Sequence, residues 1–169
     1  MIIDLRELQD GQNEYQWEET PEELHIEDAD VPFEGPIRTH MTVFKMGEPL
    51  SASGESAFCL RTECVRCLKS FDLQLSVSYR FVFQKGRPAS VRGDEDETLI
   101  WLDDRSEQLD LGTEVRDYII LEIPQSSLCS ESCAGLCPLC GTNLNVDRCT
   151  CKLETTDPRW EALRALKNE

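Results

Sequence analysis

The chain has 169 residues and a formal net charge of −16, from 33 acidic and 17 basic side chains. This length is typical of one domain, or of one domain with a small appendage, and 40% apolar residues are enough for a single hydrophobic core. A protein this acidic is repelled as a whole by phosphate backbones and anionic membranes, so general coating of DNA is excluded as its main activity.

The charge is segregated along the chain. Residues 1–58 hold 14 acidic and 3 basic residues, residues 59–93 hold 2 and 7, and residues 94–123 hold 11 and 2. A basic segment of net charge +5 therefore lies between acidic segments of −11 and −9. This basic segment predicts either a local RNA-contacting surface or a solvated face that neutralises nearby acids. The candidates for contact with RNA are Arg61, Arg66, Lys69, Arg80, Lys85, Arg87 and Arg92.

Cysteine usage and the absence of targeting features indicate a compartment. No apolar run approaches the roughly 20 residues that a membrane span requires, and the first ten residues lack the basic and apolar regions of a secretory signal. We therefore expect a cytoplasmic protein. In a reducing compartment, the nine cysteines are more typical of metal ligands or redox thiols than of disulfides.

The first elements of the chain are an acidic segment and three predicted strands. Residues 1–36 form the acidic N-terminal segment. Ile2, Ile3, Leu5 and Leu8 predict a short element docked on the core, and residues 11–24 predict a loop. Residues 37–44 alternate apolar and polar side chains, which predicts a strand. Residues 53–62 predict a second strand. Residues 71–83 alternate without a break and predict a long, half-buried third strand.

A Cys-x-x-Cys pair, Cys64 and Cys67, separates the second and third predicted strands, so we place it at the tip of a hairpin. The stretch at residues 84–97 contains glycine, proline and an acidic cluster and predicts an exposed loop. Residues 99–102 predict a further short strand.

Two helices are predicted in the second half of the chain. Asp110 is a candidate N-cap for a helix over residues 111–121, whose apolar residues recur on one face, and Pro124 follows its end. The pair Asp157-Pro158 predicts the start of a terminal helix, because a capping residue precedes a proline at the first helical position.

These elements predict an α+β fold with two parts after the acidic N-terminal segment. Residues 37–124 form a β-rich core domain of antiparallel strands with one crossing helix. Residues 125–169 form a cysteine-rich zinc-knuckle module with a C-terminal helix.

Eight of the nine cysteines fall in close pairs, which favours zinc because zinc takes four thiolates in a tetrahedron. The knuckle Cys137–Gly141 has a proline that fixes its turn and a glycine that permits its exit conformation. Another pair follows eight residues later, close enough to reach the same ion. The ligands predicted for this first zinc site are Cys137, Cys140, Cys149 and Cys151.

A second site requires partners from a distant part of the chain. Cys129 and Cys133 need two further ligands, and Cys64 and Cys67 are the remaining pair. A site of these four residues would pin the hairpin tip to the segment after the helix. Spacing does not dictate connectivity, so other pairings stay open, as does a redox role for the thiols. All-thiolate sites have no open coordination position, which indicates structural metals rather than catalytic ones.

The order of these motifs resembles the YceD family, the large ribosomal RNA subunit accumulation proteins. The resemblance runs from about residue 37 to the C-terminus. It rests on Cys64-Val65-Arg66-Cys67, Asp110-Leu111, Val115-Arg116-Asp117, Leu121-Glu122-Ile123-Pro124, Leu128–Cys133, Gly135–Gly141, Asn143-Leu144-Asn145, Cys149-Thr150-Cys151 and Asp157-Pro158-Arg159. At one position the chain departs from the family pattern, since Asp117 stands where glutamate is usual.

The resemblance implies a non-enzymatic factor, bacterial or organellar, that is needed for accumulation of 23S rRNA and hence for biogenesis of the large ribosomal subunit. Family members are commonly encoded beside a small zinc-binding ribosomal protein of the large subunit. The implied partners are large-subunit rRNA, a basic large-subunit ribosomal protein, or both. Neither a membrane nor a small-molecule substrate is expected.

Two other classes of function remain open at this point. One is a zinc-stabilised adaptor or chaperone for another basic protein. In the ribosomal interpretation, the acidic stretches 14–34 and 94–117 would receive the basic ribosomal protein, because complementary fields steer and hold such partners. Those stretches are equally consistent with a role in solubility alone. The other class is a thiol oxidoreductase that uses Cys64 and Cys67, which requires an exposed thiolate of low pKa.

Overall fold

The protein is described by a computed structural model that covers residues 1–26, 32–86 and 98–152. Within these ranges the chain forms seven strands and one helix. The elements are β1 (Ile2–Asp4), β2 (Gly11–Glu19), β3 (Ile37–Lys45), β4 (Leu50–Glu63), β5 (Ser70–Lys85), β6 (Thr98–Leu102), β7 (Gln108–Asp110) and α1 (Gly112–Glu122).

Five of the strands form one sheet in the order β2-β3-β4-β5-β6, and β1 pairs with β7 in a separate two-stranded sheet. Strands β2 to β5 are antiparallel, as predicted. The prediction is wrong for β6, which runs parallel to β5 with Phe83 opposite Ile100. The alternation of side chains carries no information on strand direction, and a connection of about a dozen residues is long enough for a parallel return.

The long strand β5 has the two faces that its sequence predicts. Phe81 and Phe83 are fully buried on one face, whereas Ser78 and Arg80 are exposed on the other. Helix α1 packs over this buried face: the ring of Tyr118 lies 5.4 Å from that of Tyr79 and 5.8 Å from that of Phe81. The core therefore lies between α1 and one face of the large sheet, and no helix or strand of the described residues covers the opposite face.

The predicted loop at residues 11–24 is wrong over its first nine residues, which form β2 and pair with β3 along its whole length. Tyr15 and Trp17 stack at 5.4 Å and face the core beside Met41. The alternate positions of β2 are glutamines and glutamates on the exposed side of this edge strand: Gln12, Glu14, Gln16 and Glu18. Because only two large apolar residues occupy the buried positions, the sequence lacks the alternation of apolar and polar residues that predicts a strand.

The remaining predicted elements are confirmed with small shifts. The N-terminal element is β1, whose Ile3 is buried opposite Leu109 of β7. Helix α1 begins one residue later than expected, with Leu111 as its N-cap, although the Asp110 carboxylate accepts a hydrogen bond from the Gly112 amide at 2.9 Å. The predicted terminal helix and most of the predicted loop at residues 84–97 lie outside the described residues. Among the described residues, no helix is long and apolar enough to cross a bilayer.

Candidate metal centres and their surroundings

Four cysteines from two distant parts of the chain meet at the tip of the β4–β5 hairpin. They are the set predicted as the second zinc site, and we number this cluster site 1 because its ligands come first in the chain. Cys64 and Cys67 lie in the turn between the two strands, and Cys129 and Cys133 follow α1. The Sγ atoms of Cys64 and Cys133 lie 3.7 Å apart, and those of Cys67 and Cys129 lie 3.6 Å apart. All four sulfurs lie within 4.8 Å of one another.

The second cluster, site 2, lies wholly within residues 137–151. Its four sulfurs, from Cys137, Cys140, Cys149 and Cys151, also lie within 4.8 Å of one another. Cys140 and Cys151 are exposed, whereas three of the four cysteines of site 1 are buried. Site 1 is therefore enclosed by protein, and site 2 is open to solvent.

The spacing of the sulfurs tests whether a metal ion fits. All nine cysteines lie in the described residues and all are free thiols. Metal–sulfur bonds of about 2.3 Å in a tetrahedron would place the sulfurs about 3.8 Å apart. The separations of 3.6 and 3.7 Å in site 1 match this value. Both sets of four thiols are thus suited to a tetrahedral, thiolate-bound ion.

The two Cys-x-x-Cys turns have the same backbone conformation. The carbonyl of Cys64 accepts a hydrogen bond from the Leu68 amide at 2.8 Å, and that of Cys137 accepts one from the Gly141 amide at 2.9 Å. The residue after each Cys-x-x-Cys turn has a left-handed backbone conformation, with φ of 56° at Leu68 and 74° at Gly141. In the second turn this residue is a glycine, so the sequence predicted the turn. In the first turn a leucine takes this conformation, which is uncommon for a residue with a side chain.

Hydrogen bonds from Arg66 fasten the two halves of site 1 together. Its guanidinium Nη1 donates to the carbonyls of Glu131 at 3.3 Å and Cys133 at 3.0 Å. Its own carbonyl accepts a hydrogen bond from the Leu136 amide at 3.0 Å. Arg66, a candidate for contact with RNA, is therefore also a tie between the hairpin and the cysteine-rich segment.

This tie leads to a prediction for two left-handed glycines. A Cβ atom on Gly135 would lie 3.1 Å from the Arg66 carbonyl oxygen, whereas one on Gly141 would meet nothing within 4 Å. Both glycines have φ near +75°, so Gly141→Ala should cost about 1 kcal/mol of conformational strain. Gly135→Ala should cost about 1 kcal/mol more, because the added methyl crowds the Arg66 carbonyl and disturbs the contact between the hairpin and the cysteine-rich segment. Urea unfolding of the two variants measures the difference; equal midpoints would contradict the prediction.

The pKa values of the thiols reflect crowding in each cluster. The backbone amide of Cys129 lowers the pKa of Cys64 to about 6, and hydrogen bonding to Cys67 raises the pKa of Cys129 to about 12. In site 2 the Thr142 hydroxyl lowers the pKa of Cys140 to about 6, and hydrogen bonding to Cys140 raises that of Cys151 to about 12. Four adjacent thiolates repel one another, so some of the thiols keep their protons in the absence of metal. Binding of a cation by all four sulfurs would therefore release these protons.

The basic candidates are spread along the hairpin rather than gathered. Lys69 is exposed beside site 1, and Arg61 pairs with Asp72 on the outer face of the sheet. Arg80 is exposed on the same face opposite Ser53, about 27 Å along β5 from Asp72. Lys85 is half-buried at the end of β5. Two further candidates, Arg87 and Arg92, lie outside the described residues.

Comparison with known proteins places this arrangement in a family. Residues 52–167 match the family model described as large ribosomal RNA subunit accumulation protein YceD. The chain belongs to the YceD family. The matched region contains every cysteine of both sites. The YceD family is named for accumulation of large-subunit rRNA and not for a catalysed reaction.

Relatives of the chain include plant and bacterial proteins. Two are named large ribosomal RNA subunit accumulation protein YCED homolog 1, chloroplastic. The Arabidopsis thaliana protein is 34% identical over 62 residues, which cover 37% of this chain and 19% of that protein. The Zea mays protein is 41% identical over 66 residues, covering 35% and 22%. An uncharacterized protein of Mycobacterium tuberculosis is 30% identical over 123 residues, covering 73% and 58%.

In each case the match spans less than two thirds of the relative. No solved structure matches this YceD family chain.

Proposed function

We propose that this protein is a non-enzymatic factor for biogenesis of the large ribosomal subunit, which supports accumulation of 23S rRNA by binding rRNA, a basic ribosomal protein, or both. The observation that carries the proposal is the family match over residues 52–167. The cytoplasm is the proposed location, which imaging of a fluorescent fusion tests.

Zinc is the ion that we propose for both sites. The four thiolates of each site are its preferred ligands, and the sulfur spacing in site 1 suits its bond length. Zinc would supply folding free energy, since structural zinc binding is coupled to folding. In site 1 it would hold the segment after α1 on the hairpin tip. Elemental analysis of freshly reduced, untagged protein should find two equivalents of zinc, and fewer than two would overturn the assignment of zinc to both sites.

Opposite charges on different surfaces support simultaneous contact with a basic ribosomal protein and with rRNA. Exposed acids include Asp103, Asp104 and Asp117 on the side of β6 and α1, and Glu14 and Glu18 on β2. These surfaces would hold a basic ribosomal protein through complementary fields. The exposed side chain of Lys69 beside site 1 would contact rRNA. RNA contact is local because the protein as a whole repels phosphate.

A salt titration tests the local contact with rRNA. Affinity for naked rRNA should be weak and fall shallowly with salt, because each phosphate contact adds only about 0.7 to 0.9 to the slope of log affinity against log salt. Lys69→Glu should remove about one contact. Arg105→Glu makes the same change in charge at an exposed position in the acidic segment and serves as the control. We avoid reversal of Arg66, because its hydrogen bonds to Glu131 and Cys133 would be lost as well.

Complementation of a deletion strain tests the function itself. Deletion should lower the ratio of 23S to 16S rRNA, and the wild-type protein should restore it. Lys69→Glu should restore it less well than Arg105→Glu if rRNA contact at the hairpin tip is needed. A normal ratio in the deletion strain would overturn the proposed function and favour an adaptor for another basic protein.

The burial of site 1 argues against a thiol oxidoreductase. Cys64 is 0% exposed and Cys67 is 6% exposed, whereas attack on a disulfide requires an accessible thiolate. We therefore expect no insulin reduction above background, with or without Cys67→Ser. Robust turnover by the wild-type protein that disappears in Cys67→Ser would restore the oxidoreductase interpretation.

A further inference from the structure

The segment Asn143-Leu144-Asn145 has no role in the function proposed above, yet it joins the two sites. It lies between the two cysteine pairs of site 2, in a turn in which the amide of Asp147 donates to the Asn143 carbonyl at 2.9 Å. The Leu144 amide donates to the Gly135 carbonyl at 2.9 Å. The loop of site 2 is therefore hydrogen-bonded to the backbone that follows Cys133 of site 1.

The carboxamide of Asn145 extends this connection to a sulfur. Its Oδ1 accepts a hydrogen bond from the Ala134 amide at 2.8 Å, which fixes the orientation of the group. Its Nδ2 donates to the Sγ of Cys133 at 3.3 Å and to the Oδ1 of Asn143 at 2.9 Å. Asn143 in turn accepts a hydrogen bond from the backbone amide of Asn145 at 3.0 Å. Both protons of the Asn145 amide are thus committed, one of them to a ligand of site 1.

A hydrogen bond to a ligating thiolate stabilises the negative charge that metal binding requires. Such outer contacts change metal affinity by about 10- to 100-fold. Here the donor does not belong to the segment that holds site 1. It belongs to the loop between Cys140 and Cys149, which is closed when the four cysteines of site 2 share one ion.

We propose that Asn145 couples the two metal sites, so that an ion in site 2 fixes the loop that supplies the N–H donor to Cys133 and thereby raises the metal affinity of site 1. The inference rests on the proposed binding of metal at both sites. Coupling of this kind is reciprocal, so an ion in site 1 also strengthens binding at site 2. Asn145 is a positioning residue and not a ligand.

Cadmium-113 NMR and metal competition on the full-length protein test the coupling. The wild-type protein should give one resonance for each site, and Cys140→Ser identifies that of site 2 by removing it. Asn145→Ala should shift the resonance of site 1 and weaken its metal affinity by about 10-fold. Asn145→Asp should weaken it further, because this variant keeps the acceptor for the Ala134 amide but turns a carboxylate towards the thiolate. Val146→Ala changes an exposed side chain in the same turn and is the matched control.

A double-mutant cycle decides between coupling and a local effect. Cys140→Ser should lower the affinity of site 1 by about the same factor as Asn145→Ala, and the two changes together should lower it no further. An unchanged site 1 resonance and affinity in Asn145→Asp would overturn the coupling, as would additive effects in the cycle. A wild-type protein that binds fewer than two equivalents of metal would instead contradict the assignment of the two sites.

Discussion

Cys64→Ser is expected to abolish metal binding at site 1 and to detach residues 127–136 from the β4–β5 hairpin. Cys64 is fully buried and lies opposite Cys133, so a hydroxyl in its place leaves three thiolates around a desolvated ion. Binding of a structural zinc is worth on the order of 10 kcal/mol. Its loss also exposes the small apolar cluster that packs against the cysteines, formed by Phe71, Leu128 and Leu136.

Hydrogen exchange and metal content measure this effect. In Cys64→Ser, metal content should fall from two equivalents to one, and the Val65 and Leu136 amides should lose the protection given by their hydrogen bonds to Ser127 and Arg66. Amides of the β3–β4 pairing should stay protected. Cys140→Ser is the comparison: because Cys129 and Cys133 belong to site 1, loss of protection there should be confined to residues 137–151 and to the Ala134 amide, which donates to Asn145. Equal loss of protection in the two variants would contradict this division.

Phe81→Ala is expected to lower the free energy of unfolding by about 3–5 kcal/mol, a large share of the about 5–15 kcal/mol that holds a typical domain folded. The Phe81 ring is 0% exposed, and its centroid lies 5.2 Å from that of Tyr79, 6.0 Å from Phe83 and 5.8 Å from Tyr118. The change therefore leaves a cavity where α1 meets the sheet.

Urea unfolding followed by tryptophan fluorescence measures the loss. Phe44→Ala is the matched control, because Phe44 is 41% exposed on the open face of β3 and its removal should cost about 1 kcal/mol or less. Both variants should retain two equivalents of metal while folded, since neither residue contacts the cysteines. A Phe81→Ala midpoint no lower than that of Phe44→Ala would show that α1 does not close the core.

Residue spacing predicted the features that depend on local periodicity. One face of β5 packs on the core along much of its length, so apolar and polar residues alternate without a break and predicted the strand. The spacing of the paired cysteines likewise indicated two sets of four, while leaving other pairings open. Strand β2 was not predicted, because an edge strand buries only alternate side chains and, among those of β2, only Tyr15 and Trp17 are large and apolar.

Contacts between distant segments have no local signature in the amino-acid sequence, so they could not be predicted. Arg66 looks like any exposed base in sequence, but its partners are carbonyl groups more than 60 residues away. Asn145 lies in a motif that marks the family resemblance, but its bond to the Cys133 sulfur depends on how the two cysteine segments fold against each other. The parallel direction of β6 belongs to the same class, because it is set by the path of the chain and not by its composition.

The sheet begins well before the part of the chain that matches the family model. The match starts at residue 52, inside β4, whereas β4 is hydrogen-bonded to β3 from Ser51 to Ala57. A fragment that starts there would lose β2 and β3 and leave without partners the amides and carbonyls of β4 that bond to β3. Unpaired strand edges of this kind promote aggregation. The family boundary is therefore not a folding boundary, and fragments for expression should include the chain from β1 onward.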